Sequence, residues 1–310
     1  MIGTITVNPS IDQLILVRGL VKDDANRAVS VLHYPGGKGI NVSKVVRELG
    51  GGTHAFALLG GRPGELLAEL LRGLDVPLTA IAVKGHTRIN TIVTDLKDGT
   101  QTRISAPGPV ISRSEMDEFE RKVLSWRPRP FIWALGGSLS EKMTPAAYCR
   151  LVRAVQKKGT PCVLDTDGEA LRRGIEARPF LIKPNEYEVT RLIGRSISAL
   201  EDYLGVAKGL VKKGIKIVVV SLGARGALFV SEREAFHVSV PQVAVRSKVG
   251  AGDSLIGGFV LALSRRKGLE EAARIGMAAS VSAVMRESPR LCLRRDLPGI
   301  LPKLRVRALW

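Results

Sequence analysis

The stretch Val249-Gly250-Ala251-Gly252-Asp253-Ser254 runs straight into an apolar segment, 255–264, with helical spacing. Small residues at a helix start leave several backbone N–H groups unpaired and pointing one way. With the positive end of the helix dipole they make a place for an anion. An aspartate in that turn would repel a phosphate. Its presence makes sense if Asp253 removes a proton while the amides of Gly250, Ala251 and Gly252 stabilise charge on a transferring phosphoryl group. The plain alternative is that Asp253 only caps the helix.

A second loop of the same kind lies far away in sequence. Pro35-Gly36-Gly37-Lys38-Gly39-Ile40-Asn41-Val42 also opens a helix, and it does not fit the GxxxxGK[ST] pattern of a Walker A loop. Gly36, Gly37 and Gly39 allow the backbone to approach a ligand closely. Asn41 both donates and accepts hydrogen bonds, which suits sugar hydroxyls. Taken alone, this loop reads equally as a helix-starting turn without a ligand.

Outward from these loops, short β-branched runs alternate with longer helical periods. Strands are expected over 2–7, 53–59, 131–135, 161–164, 180–182 and 216–221, and helices over 40–49, 65–73, 114–126, 144–158 and 200–213. That alternation implies βαβ units and a mostly parallel sheet. Two regions, 13–34 and 88–103, instead read as alternating strands without helices between them. They predict a small separate sheet, antiparallel and discontinuous in sequence, inserted into one domain spanning 1–310. The basic segment 286–310 reads as an amphipathic closing helix.

Composition narrows the function classes. The 310 residues are 45% hydrophobic and 25% charged, enough for a substantial core. Lys+Arg 47 against Asp+Glu 29 gives +18, but the charges are scattered, so no specific nucleic-acid partner is expected. Cys149, Cys162 and Cys292 form no CxxC pair, and the four histidines are too dispersed for a zinc site. With no signal peptide and no membrane-length apolar run, the expected location is cytoplasmic.

Together the two loops resemble the paired signatures of the ribokinase-like, PfkB-type carbohydrate kinases, and the resemblance extends along nearly the whole chain. Asn8-Pro9-Ser10-Ile11-Asp12 is similar to the family's sugar-binding segment. Thr87-Arg88-Ile89-Asn90 is similar to the TRxN segment of its phosphosugar branch, and Leu164-Asp165-Thr166 with Gly168 to its LDTSG segment. Asn185 to Glu188 match NxxE, and Val220-Ser221-Leu222-Gly223 with Gly226-Ala227 resemble the nucleotide-binding VSLGxxGA turn. The fold so implied is an α/β three-layer sandwich with a mostly parallel central sheet and a small β-sheet lid.

The resemblance implies roles as well. Asp253 would be the base, with Gly250, Ala251 and Gly252 as the anion hole. Asp12, Gly36, Gly37, Asn41 and Asn90 would hold the sugar. Arg88, Arg27, Lys38 and Ser138 would face the phosphate already on the substrate. Lys183, Asn185, Ser221, Gly223 and Gly226 would line the ATP side. Asn185 and Glu188, three apart on one helix face, would organise Mg²⁺ through water. The lid implies a homodimer.

The implied reaction is ATP-dependent phosphorylation of a phosphosugar, fructose 1-phosphate to fructose 1,6-bisphosphate first among candidates. Fructose 6-phosphate and tagatose 6-phosphate are alternatives; a nucleoside or unphosphorylated-sugar kinase, or a non-catalytic phosphosugar- or nucleic-acid-binding protein, ranks below them. Several positions depart from the family pattern: Gly136, Ser140, Asp167, Lys248 and Arg286. The last two carry the expectation that their charge replaces a monovalent cation beside the anion-hole loop.

Overall fold

Val218, Val219 and Val220 are all fully buried because successive side chains of one strand enter two different cores. Such a strand has helices on both sides, which is why it reads as an unbroken apolar run. The computed structural model describes residues 1–310. Its strands, in chain order, are β1 (Ile2–Thr6), β2 (Ser10–Val17), β3 (Ser30–Gly36), β4 (Thr53–Leu59), β5 (Leu78–Ala82), β6 (Arg88–Asp95) and β7 (Gln101–Ile104). There follow β8 (Ile132–Gly136), β9 (Cys162–Asp165), β10 (Leu181–Ile182), β11 (Ile217–Ser221), β12 (Ala227–Ser231), β13 (Ala235–Ser239) and β14 (Arg305–Ala308).

Ten strands form the central sheet in the order β14-β13-β12-β11-β10-β9-β8-β1-β4-β5. Pairing is parallel from β11 through to β5 and antiparallel from β11 out to β14. Helices Lys38–Glu48, Ala251–Ser264 and Leu269–Val284 cover one face through residues such as Val42, Val45, Leu255, Phe259 and Met277. Arg113–Ser125, Ala147–Lys157 and Leu200–Lys212 cover the other through Phe119, Leu151, Val155 and Tyr203. The result is an α/β three-layer sandwich.

From β1 the chain steps to β4 on one side and later to β8 on the other, so the strand order reverses at β1. In open α/β sheets the crevice beyond the C-terminal strand ends at such a reversal is where ligands sit. The segments Asn8, Gly136-Gly137-Ser138 and Asp165 lie at those ends.

A four-stranded sheet, β3-β2-β6-β7, arises from the two regions without helices. Its antiparallel expectation needs correction, because β2 and β6 pair in parallel and only the flanking pairs are antiparallel. The sheet also begins earlier than expected, at Ser10, which places Asp12 on it. The closing helix is likewise corrected. The segment forms short helical turns, among them Leu297–Ile300, and then the edge strand β14 beside β13. Leu269–Val284, rich in alanine and poor in large apolar residues, escaped the periodicity reading.

Candidate active site

Helix Ala251–Ser264 starts from Gly250, whose φ of 79° is left-handed, a conformation glycine adopts without steric cost. The first intrahelical bond runs from Ser254 N to Gly250 O, so the N–H groups of Ala251, Gly252 and Asp253 precede it and are left without carbonyl partners. Asp253 makes no cap hydrogen bond. Its Oδ2 instead accepts from Nδ2 of Asn41 at 2.8 Å, on the neighbouring helix Lys38–Glu48. One turn further along both helices, an added Cβ on Gly257 would lie 2.5 Å from Val45 Cγ1. The absence of that atom lets the helices approach closely enough for Asn41 to reach Asp253.

Beside this pair three strand ends converge. Asp165, at the end of β9, accepts a hydrogen bond from Lys38 Nζ at 3.0 Å and lies 3.5 Å from Lys183 Nζ, just beyond β10. Its Oδ2 is buried without a hydrogen-bond partner. Burial alone would raise the Asp165 pKa, but Lys183 and Lys38 outweigh it and hold the carboxyl below its usual range. Burial likewise pulls the Lys38 ammonium down, but Asp165, Asp253 and Glu188 more than reverse this. For Asp253 burial prevails over the pull of Lys38 and raises its pKa. An added Cβ on Gly252 would lie 3.1 Å from Lys183 Nζ, so the amide turn and this lysine adjoin.

Asn185 and Glu188 form a reciprocal capping box on helix Glu186–Ile193: Glu188 N donates to Asn185 Oδ1 at 2.9 Å and Asn185 N to Glu188 Oε2 at 2.8 Å. Glu188 is nonetheless buried rather than on the surface, and burial raises its pKa although Lys38 and Lys183 oppose this. Ser221 pairs with Asn185 through an isolated bridge, and Gly223 and Gly226 follow it with positive φ. Lys183, Asn185, Ser221 and these glycines thus share one end of the crevice.

At the other end, Asp12 is buried, with Oδ1 accepting from Ser10 Oγ at 2.9 Å and Asn90 Nδ2 at 2.8 Å. Gly36 lies against the same carboxyl group, where an added Cβ would be 2.5 Å from Oδ2. Gly37, with φ 116°, packs on Pro9. Arg88 donates to Ala106 O at 3.0 Å and Asn8 O at 3.1 Å, while its buried Nε has no partner and no carboxylate pairs with it. Burial lowers its pKa, Asp12 opposing and Arg103 on β7 adding to the effect. Ser138 accepts from Asn8 Nδ2 at 3.4 Å.

Three expected residues lie outside the convergence. Arg27 is exposed in the connection from β2 to β3 and makes no ion pair or hydrogen bond within the chain. Lys248 is exposed, and the guanidinium of Arg286 pairs with Asp296, which also accepts from Ser282 Oγ at 2.5 Å. The expectation that Lys248 and Arg286 supply free charge to a cation pocket is therefore corrected: one faces solvent and the other is neutralised. Among the other departures, Gly136 is accommodated closely, since a Cβ there would lie 2.6 Å from Asp165 O.

Asn8 and Asp165 stand inside motifs whose sequence assigns them no role, and Lys44 and Arg103 lie outside every motif. Asp165 carried a signal, an acidic residue ending an apolar strand run. Lys44 and Arg103 look like ordinary surface residues, and Arg103 stays exposed on β7.

Known proteins resemble this chain along nearly its whole length. The profile of the "pfkB family carbohydrate kinase" matches residues 2–296. The chain is 33% identical over 309 residues to the 1-phosphofructokinase of Bacillus subtilis (strain 168), covering all of both chains. It is 34% identical over 301 residues to the ATP-dependent 6-phosphofructokinase isozyme 2 of Escherichia coli (strain K12), covering 96% of this chain and 97% of that one. The crystal structure of the Escherichia coli phosphofructokinase-2 in complex with potassium superposes with a TM-score of 0.93, covering 97% of this chain and 98% of that one at 34% identity.

Proposed function

Because the chain belongs to the pfkB family of carbohydrate kinases, we propose that it transfers the γ-phosphoryl group of ATP to a hydroxyl of fructose 1-phosphate, giving fructose 1,6-bisphosphate. The observation that carries this reading is the Asp253–Asn41 pair at a helix start with three free N–H groups. Asn41 occupies Oδ2 of Asp253 and leaves Oδ1 to accept the hydroxyl proton as the oxygen attacks phosphorus. The Ala251, Gly252 and Asp253 amides stabilise charge on the transferring group from fixed positions, with no reorganisation needed during the reaction. Lys38 and Lys183, held by Asp165, add positive charge on the same side.

Asp12, Asn90, Gly36 and Gly37 bind the sugar, and Arg88 with Ser138 binds its phosphate. Arg88 suits that task because it is a desolvated guanidinium with an unused Nε and no carboxylate of its own. Arg27 reaches a phosphate only if the β2–β3 connection closes over a crevice, its own or a partner's.

Mg²⁺, when bound with ATP, would supply positive charge to its phosphates. The residues fit an ion held mainly by phosphate and water: Glu188 keeps Oε1 free of its capping box, and Asp165 Oδ2 is an orphaned buried acceptor. No group of three or more His, Cys, Asp or Glu side chains is placed to hold a metal by itself. With Lys248 in solvent and Arg286 paired, a monovalent cation re-enters the reading, since Ser288 Oγ is buried without a partner.

One face of the small sheet exposes Val31, Ile89 and Ile104, the last 62% exposed. We assign that apolar surface to a second copy, making a homodimer through the lid. Three buried free cysteines support a cytoplasmic location, and no helix is long and apolar enough to cross a membrane.

The 6-phosphofructokinase reading is a close second, because the Escherichia coli isozyme 2 is as similar in sequence as the Bacillus enzyme. An ATP-consumption assay over fructose 1-phosphate, fructose 6-phosphate and tagatose 6-phosphate tests the proposal. The highest kcat/KM should fall on fructose 1-phosphate; no turnover with any phosphosugar would overturn the kinase reading of the site.

A further inference from the structure

Lys44 belongs to none of the sequence motifs, yet its side chain turns inward. It sits three residues beyond Asn41 on helix Lys38–Glu48, hence on the same face. Its Nζ donates to Pro35 O at 3.0 Å and to Asn41 Oδ1 at 3.3 Å. No carboxylate lies within ion-pair distance; the charged groups that face it are Asp12 from β2 and Asp253 from helix Ala251–Ser264. Burial lowers its pKa to about 8, against the pull of those two carboxylates.

The amide of Asn41 has two ends of similar shape and opposite chemistry. An ammonium group only donates, so the end facing Lys44 must be the oxygen. The NH₂ end then faces Asp253 Oδ2, as observed at 2.8 Å. The reverse orientation would set a carbonyl oxygen against a carboxylate and an NH₂ against an ammonium. Asp253 would escape the first repulsion by keeping a proton, the form that cannot act as a base.

We propose that Lys44 is a positioning residue for phosphoryl transfer: it fixes the orientation of Asn41 that keeps Asp253 ionised with Oδ1 free. This rests on the reading of Asp253 as the base. Above its own pKa the neutral amine can accept as well as donate, and the orientation is no longer enforced.

Three variants of the full-length enzyme test it, with melting temperatures to confirm folding. Lys44→Met removes the charge at similar length and should lower kcat about ten- to a hundredfold. Both KM values should change little, and the acid limb of the kcat–pH profile should move to higher pH. Lys44→Arg, always charged, should restore most of the rate. It should also hold its plateau above pH about 8, where the wild-type rate is expected to decline. In the substrate-free wild type, isotope-labelled lysine NMR should show one ammonium titrating at about 8 and missing from both variants. Should Lys44→Met fail to fold, the Lys44→Arg plateau and the NMR titration decide.

Unchanged kcat in Lys44→Met, or a lower kcat with an unmoved acid limb, would overturn the proposal. So would NMR showing Lys44 already neutral at the pH of full activity. Asp253→Asn, assayed in parallel, separates the two claims. If it is inactive while Lys44→Met is normal, only this inference fails; if it is active, the base assignment itself fails.

Discussion

Asn41 and Asp253 are 212 residues apart in the chain and 2.8 Å apart in the fold. Each stands in the first turn of its helix, and the two helices touch again one turn later at Val45 and Gly257. The distance between a sugar-binding loop and the proposed base is therefore set by a contact outside the crevice.

Gly257→Ala should disturb that distance. The new Cβ would lie 2.5 Å from Val45 Cγ1, a buried β-branched side chain with little freedom to move. Overpacking of this kind costs about 1–3 kcal/mol. The melting temperature and kcat should both fall, with KM values less affected. A variant of wild-type stability and rate would show that the helices have slack.

Arg88→Ala should raise KM for the phosphosugar about ten- to a hundredfold, the worth of a hydrogen bond to a charged group. KM for ATP should change far less, since Arg88 lies on the Asp12 side of the crevice. Steady-state kinetics with each substrate varied in turn checks this. Equal effects on both would remove Arg88 from the phosphate site.

Asp165→Asn should destabilise the fold, because it leaves the buried Lys183 without its counter-charge. Breaking a buried pair costs about 3–5 kcal/mol. The pH dependence has a definite sign. The folded-state pKa of Asp165 is depressed, so its contribution is fully present above the unfolded pKa and is lost as pH falls through the folded value. The gap in melting temperature between wild type and variant should thus be wide at neutral pH and shrink in acid. A gap independent of pH would contradict the charge argument.

Much of this was legible in the sequence for local reasons. The loops at 35–42 and 249–254 announce themselves because small residues starting a helix have few other uses. β1, β4, β8 and β11 are legible because a strand buried on both faces is mostly apolar or β-branched. The convergence of Lys38, Asp165 and Lys183 was not, because it depends on β9 and β10 being neighbours, which no local signal encodes. The parallel pairing of β2 with β6 failed for the same reason, as strand direction in a sheet is a property of connections. β14 was missed because Arg305-Val306-Arg307 is a short, polar edge strand, and its alternation resembles any basic tail. Lys44 was passed over because nearly all lysines on helices point to water.

The most direct test of the central claim is kcat for purified Asp253→Asn, with ATP and phosphosugar binding measured alongside. Burial raises the Asp253 pKa above the ordinary 3.8, so wild-type kcat should fall as pH drops through that raised value. The variant, which has no carboxylate to titrate, should lack that limb. It should bind both substrates and keep its fold, while kcat falls about 10²–10⁴-fold, the usual worth of a general base. A folded Asp253→Asn enzyme turning over at near the wild-type rate would contradict the account.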